Sequence, residues 1–128
     1  MEIKTHKLAN SSLLGKPVEV VDGEAIVELK ATDDMAVDEK GLIHGGFTFG
    51  LADYAAMLAV NHPNVVLGAS DVRFLGPVQS GDMMVARAVV SQLDGRRRVV
   101  NVEVKVGDRV VLSGTMACFV LDRHVLER

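Results

Sequence analysis

The chain predicts an α+β fold in which a curved antiparallel sheet wraps around one long central helix. Three observations carry this. His44 to Asn61 is almost wholly apolar, opens on His44-Gly45-Gly46 and stops at His62-Pro63, as a buried helix would. Everything after Pro63 is rich in Val, Leu and Ile and is cut by glycine turns, as strands are. The resulting order is two strands, one helix and four strands. A single helix cannot cover a long flat sheet, but a sheet that curves around it buries it.

Each element has its own signal. Lys4 to Leu14 predicts a short helix ending near Gly15-Lys16-Pro17. Val18 to Val21 and Ala25 to Ala31 predict a hairpin closed by Asp22-Gly23. Thr32 to Gly41 is polar and reads as a loop. Apolar residues ring most of the helix that follows, so it is buried on nearly all sides. Val65 to Phe74, Met83 to Leu93, Arg97 to Val106 and Val110 to Leu121 are the remaining strands. Asp94-Gly95 and Gly107-Asp108 are hairpin turns between the last three. Val99 to Val106 alternates apolar and polar residues, so one face is wet. Such a sheet leaves an edge and an apolar helix stripe to cover, which favours a dimer.

The bulk numbers bound the function. A length of 128 residues fits one domain spanning 1–128. At 48% hydrophobic residues and a mean hydropathy of +0.24 the chain is too apolar to be disordered. A net charge of -3 and few aromatics argue against a nucleic-acid partner. No apolar run is long enough to cross a bilayer, and Met1 to Lys7 lacks the apolar core of a signal peptide. Cys118 is the one cysteine, so a reducing, cytoplasmic home is the simplest reading. His6, His62 and His124 lie at scattered positions without ligand spacing, so no metal is expected.

Asp53 is the one charged residue between Gly45 and Val60. A lone carboxylate there is costly to bury without a partner, and perturbed acids cluster at functional sites. It is a candidate nucleophile or general base; the alternative is a structural acid paired with a cation. Gly45 and Gly46 stand where the helix begins. Its first N–H groups have no internal partner and carry the positive end of the dipole, so they suit an oxyanion. His44 is a candidate donor at the same end, or a structural hydrogen bonder. At about 1.5 Å rise per residue, Asp53 lies roughly 12 Å along the axis from Gly45. One carbonyl cannot touch both, so two groups acting together belong to different chains. Thr48, one turn from His44, can bond its own backbone. Arg73 shares a strand face with Asp71, which suits an ion pair. Arg96-Arg97-Arg98 is a solvated run able to meet phosphates.

His44-Gly45-Gly46 followed by Leu51-Ala52-Asp53 resembles the hotdog-fold acyl-CoA thioesterases, in particular the PaaI-like branch of phenylacetate metabolism. The resemblance covers roughly residues 17 to 121, with Asn61 at the helix end and Val72-Arg73-Phe74-Leu75-Gly76-Pro77 followed by Gly81-Asp82. It implies a homodimer, often a dimer of dimers, with a coenzyme A thioester bound at the interface and no cofactor. The glycine N–H groups would polarise the thioester carbonyl, with His44 supporting them, and Asp53 of the other chain would attack or activate water. In place of the Asn often found six residues before the His stands Asp38; in place of the Thr sometimes found one turn after the acid stands Met57. Tyr54, Phe47, Met57 and Leu58 are candidate acyl-pocket residues; Asp38, Thr48, Met57, Asn61 and Arg73 are the candidate substrate contacts. A second reading is a non-catalytic acyl-CoA sensor. Ala69 to Phe74 is similar to the ligand domain of a lipid-synthesis repressor that binds malonyl-CoA, and Arg73 would pair with the malonyl carboxylate. A dehydratase of hydroxyacyl thioesters ranks last, because no His-centred pattern for it is present.

Overall fold

The computed structural model describes residues 1–127. After a four-residue helix, α1 (Ser11–Leu14), come β1 (Lys16–Val21), β2 (Glu24–Lys30) and the long helix α2 (Gly45–Val60). They are followed by β3 (Val65–Phe74), β4 (Met83–Asp94), β5 (Arg97–Val106) and β6 (Arg109–Val120). One antiparallel sheet runs in the order β1-β2-β4-β5-β6-β3. The hairpins close where the sequence places Asp22-Gly23, Gly95 and Gly107, each glycine at positive φ. The sheet curves around α2, whose residues pack against all six strands. This is the hotdog fold.

α2 is a buried helix built for close approach. Leu51, Ala52, Ala55, Ala56 and Leu58 have no exposed surface, and small side chains let β2, β4 and β5 come near. The partners are Val27, Met84, Ala86, Ala88, Val102 and Val104, on the inward face of those strands. Inward residues alternate along β4 and β5, whose outward positions are wet.

Two expectations need correction. Lys4 to Leu14 is not one helix: only Ser11–Leu14 is helical. His6 adopts a left-handed φ of 53°, which no helix continues through, and the Asn10 side chain caps the short helix by accepting from Ser12 N–H. The loop after β2 contains a single 3-10 turn at Asp33–Met35.

The chain excursion through α2 carries β3 to the far edge of the sheet, so the edges are β1 and β3. β3 is ten residues long, and Gly68 to Asp71 are exposed. Among the described residues, no helix is long and apolar enough to cross a membrane.

Candidate active site

The approach to α2 is pinned before the helix starts. Ile43 N–H donates to Val78 O at 2.9 Å and His44 N–H to Met35 O at 3.1 Å. His44 is the N-cap: its Nδ1 accepts from Gly46 N–H at 2.8 Å. An accepting Nδ1 puts the proton of the neutral ring on Nε2, which makes Nε2–H a donor at the helix start. The same bond occupies Gly46 N–H, while Gly45 N–H has no intrahelical acceptor. A β-carbon added at Gly45 would lie 3.3 Å from the Phe74 ring, so the end of β3 stands against the helix start.

Asp53 stands on the face of α2 that the sheet leaves partly open, and it lines a cleft of about 420 Å³. The walls are Thr5 and His6, Met57, Pro63 to Leu67 at the start of β3, and His124 with Val125. Burial pushes the Asp53 carboxyl above its ordinary range, and the nearby His6 pulls it partway back. Burial likewise lowers His6, against the pull of the Asp53 charge. Among the described residues no side chain forms an ion pair with Asp53. Cys118 lies on β6, where burial and the Asp53 charge push its thiol up to about 12, so it is no thiolate nucleophile.

The other candidates separate. Met57 lines the cleft, while Leu58 is fully buried in the core. Thr48 is not at the cleft: its hydroxyl meets Met84 Sδ at 3.5 Å inside the core. Asp38 is exposed on the loop before the helix and accepts from Lys40 and Leu42 N–H. Asn61 caps the far end of α2 in a left-handed conformation, and its amide binds the N-terminal segment instead of facing the cleft. Arg73 and Asp71 share a face without forming an ion pair. Both are exposed on the edge strand, where water screens the attraction. Of the arginine run, Arg96 pairs with Asp122 and Arg98 binds Gly95 O.

His6 is the residue that sequence reasoning missed. It reaches the cleft through a contact far along the chain, and nothing near it in the sequence signals this.

Comparison with known proteins agrees with this architecture. Residues 40–113 match the thioesterase superfamily model. A solved structure of the uncharacterized protein PH1136 from Pyrococcus horikoshii is 54% identical, with a TM-score of 0.98, covering 99% of this chain and 98% of that one. A mutant of the phenylacetic acid degradation protein PaaI from Thermus thermophilus is 33% identical, with a TM-score of 0.79, covering 87% of this chain and 97% of that one. Among curated relatives, a methylthioribose-1-phosphate isomerase of Aquifex aeolicus is 51% identical over 114 residues, 89% of this chain. This chain spans only 25% of that protein's length. Transcription factor FapR of a Thermoanaerobacter strain is 23% identical over 98% of this chain and 63% of its own length. The helix opened by His44-Gly45-Gly46, the sheet around it and the matched residues lead to one statement of kinship: the chain belongs to the thioesterase superfamily, with PaaI-like hotdog proteins among its structural neighbours.

Proposed function

We propose that the protein hydrolyses coenzyme A thioesters at a site built from two copies of the chain. The observation that carries this is the course of β3. The strand starts beside the Asp53 cleft, which Val65 to Leu67 help to line, and ends with Phe74 against Gly45. If two β3 edges pair antiparallel about their middles, each Asp53 comes beside the partner's helix start. An unpaired ten-residue edge supports such pairing.

In that assembly the thioester carbonyl lies against Gly45 N–H of one copy, with His44 Nε2–H nearby. The helix dipole favours the negative oxygen that develops. Asp53 of the other copy takes a proton from the attacking water, or attacks the carbonyl itself and is released by water. The C–S bond then breaks and coenzyme A leaves as the thiolate. A carboxylate raised by burial is a better base nearer neutral pH. The acyl chain runs along Met57, the apolar wall of the cleft. The bonds to Lys40 and Leu42 N–H tie the Asp38 carboxylate to its own loop.

The test is a panel of acyl- and aryl-CoA esters with detection of free thiol. Release of coenzyme A from at least one ester, lost in Asp53→Asn, is expected; release from none sinks the reading. A second reading, binding without turnover, is favoured by the match to FapR and by an Arg73 that forms no ion pair among the described residues. Tight binding of malonyl-CoA with no thiol release selects it.

A further inference from the structure

We propose that His6 is a positioning residue for Asp53: an N-terminal strap, clamped to the end of α2 by Asn61, brings its imidazole to the wall of the cleft and keeps the acid in its working form. This rests on the thioester-hydrolase reading of Asp53.

The clamp uses both ends of one amide. Asn61 Oδ1 accepts from Lys4 N–H and Asn61 Nδ2 donates to Glu2 O, each at 2.8 Å. Asn61 is also the left-handed residue that stops α2, with a φ of 50°. The residue that ends the helix therefore anchors the strap, and strap position is tied to the helix that carries Asp53. Thr5, 5% exposed, is the next fixed point. Its Oγ1 lies 2.7 Å from His6 Nδ1. With Nδ1 so engaged, Nε2 is the ring nitrogen left for another partner. The ring packs beside Tyr54, with centroids 6.4 Å apart. His6 itself is left-handed, and Ala9 N–H closes a turn onto its carbonyl. A non-glycine residue in that region is disfavoured, and it persists where its surroundings hold it.

The charges facing Asp53 are few. From the strap comes His6, and beside its ring packs Tyr54 of α2, whose phenol is raised by burial. Pro63 to Leu67 supply apolar walls and the Asn64 amide. β6 supplies the neutral Cys118 thiol. The C-terminal segment supplies His124, whose Nδ1 is bound to Leu126 N–H at 3.0 Å. No Lys, Arg or Glu lines the cleft among the described residues. Burial lowers His6, so its charge offsets the burial of the Asp53 carboxylate on the acid side of neutrality, where the imidazole is protonated. His6 and Asp53 make no direct hydrogen bond, so the coupling works across the shared cleft and leaves the carboxylate oxygens for water and substrate.

The experiment follows the Asp53 carboxyl by carbon-detected NMR through a pH titration of the intact protein, alongside the pH profile of kcat/KM. His6→Gln keeps bulk and hydrogen bonding but cannot take a charge. In His6→Gln the Asp53 midpoint moves to higher pH, and the acid limb of kcat/KM moves with it. Asn61→Ala, which frees the strap, shifts both in the same direction. By linkage, Asp53→Asn lowers the midpoint of His6. An Asp53 midpoint unmoved by His6→Gln overturns the proposal, as does a His6 midpoint unmoved by Asp53→Asn. The NMR arm needs no turnover. A wild-type protein that hydrolyses nothing sinks the proposed reaction, and the coupling is still judged by the two midpoints.

Discussion

Gly46 is the space into which His44 folds. A β-carbon at Gly46 would lie 2.8 Å from His44 Nδ1, the atom that accepts the Gly46 N–H. Gly46→Ala therefore displaces the ring. The lost cap costs about 1 kcal/mol, and removing glycine from a helix returns roughly 0.5–1 kcal/mol. Stability in urea is expected to change little. Catalysis carries the effect: kcat/KM should fall about 10²-fold as the helix-start donors move. Nitrogen NMR of the His44 ring should report a free Nδ1.

Asp53→Asn removes the proton acceptor and keeps the shape. A positioned base contributes about 10²–10⁴-fold, so turnover should fall by that order. Binding of a coenzyme A ester, measured by calorimetry, should persist. Full activity in the variant removes Asp53 from the mechanism.

Stability follows the opposite course. Burial holds the folded Asp53 pKa above its unfolded value. The folded state then keeps a proton that the unfolded state has lost. Stability is fully present below the unfolded pKa and declines as pH rises through the folded one. Asp53→Asn should thus melt higher than wild type at neutral pH, with the gain vanishing in acid. Thermal melts of both proteins from acid to neutral pH check this. The acid limb of kcat/KM should lie above the ordinary carboxylate range.

Two broken chains should repair one another. Asp53→Asn lacks the acid, and Gly45→Val crowds the helix start against Phe74. If each site takes Asp53 from one copy and Gly45 from the other, a mixed dimer holds one intact site and one doubly broken. Co-expression with two different tags, followed by tandem purification, should restore about half the wild-type activity per dimer by simple counting of sites. No recovery in the mixed dimer points to a site within one chain.

β3 lies against β6 with no room to spare. A β-carbon at Gly114 would lie 2.6 Å from Val72 Cα and nearer still to the Asp71 carbonyl. Backbone cannot swing aside as a side chain can. Gly114→Ala should cost about 1–3 kcal/mol in urea unfolding. Because it displaces the edge strand, it should also weaken self-association in sedimentation.

Much of the fold was legible. The helix bounds came from His44-Gly45-Gly46 and His62-Pro63, and the hairpins from glycines that take positive φ. Those signals are local, and local chemistry decides a cap or a turn. Lys4 to Leu14 misled because its helical pattern ignores the turn at His6, which Asn61 and Tyr54, both outside the segment, hold in place. The isolated Asp53 was visible as an anomaly, yet its neighbours were not. His6 lies 47 positions away, and Asn61 reaches back 57 residues to Lys4. Arg73 and Asp71 show the converse: alternation places two charges on one face, and solvent decides whether they meet.

The cleft has a practical side. Its walls include residues 5–6 from one end of this chain and 124–125 from the other. An affinity peptide set beside His124 and Val125 would crowd the mouth next to the carboxylate, whereas Met1 is held away from it on β1, its amino group donating to Val20 O. Gly95, at the tip of the β4–β5 hairpin, has nothing within 4 Å of an added β-carbon, and it is there that a dye or an affinity peptide would sit without disturbing what is being measured.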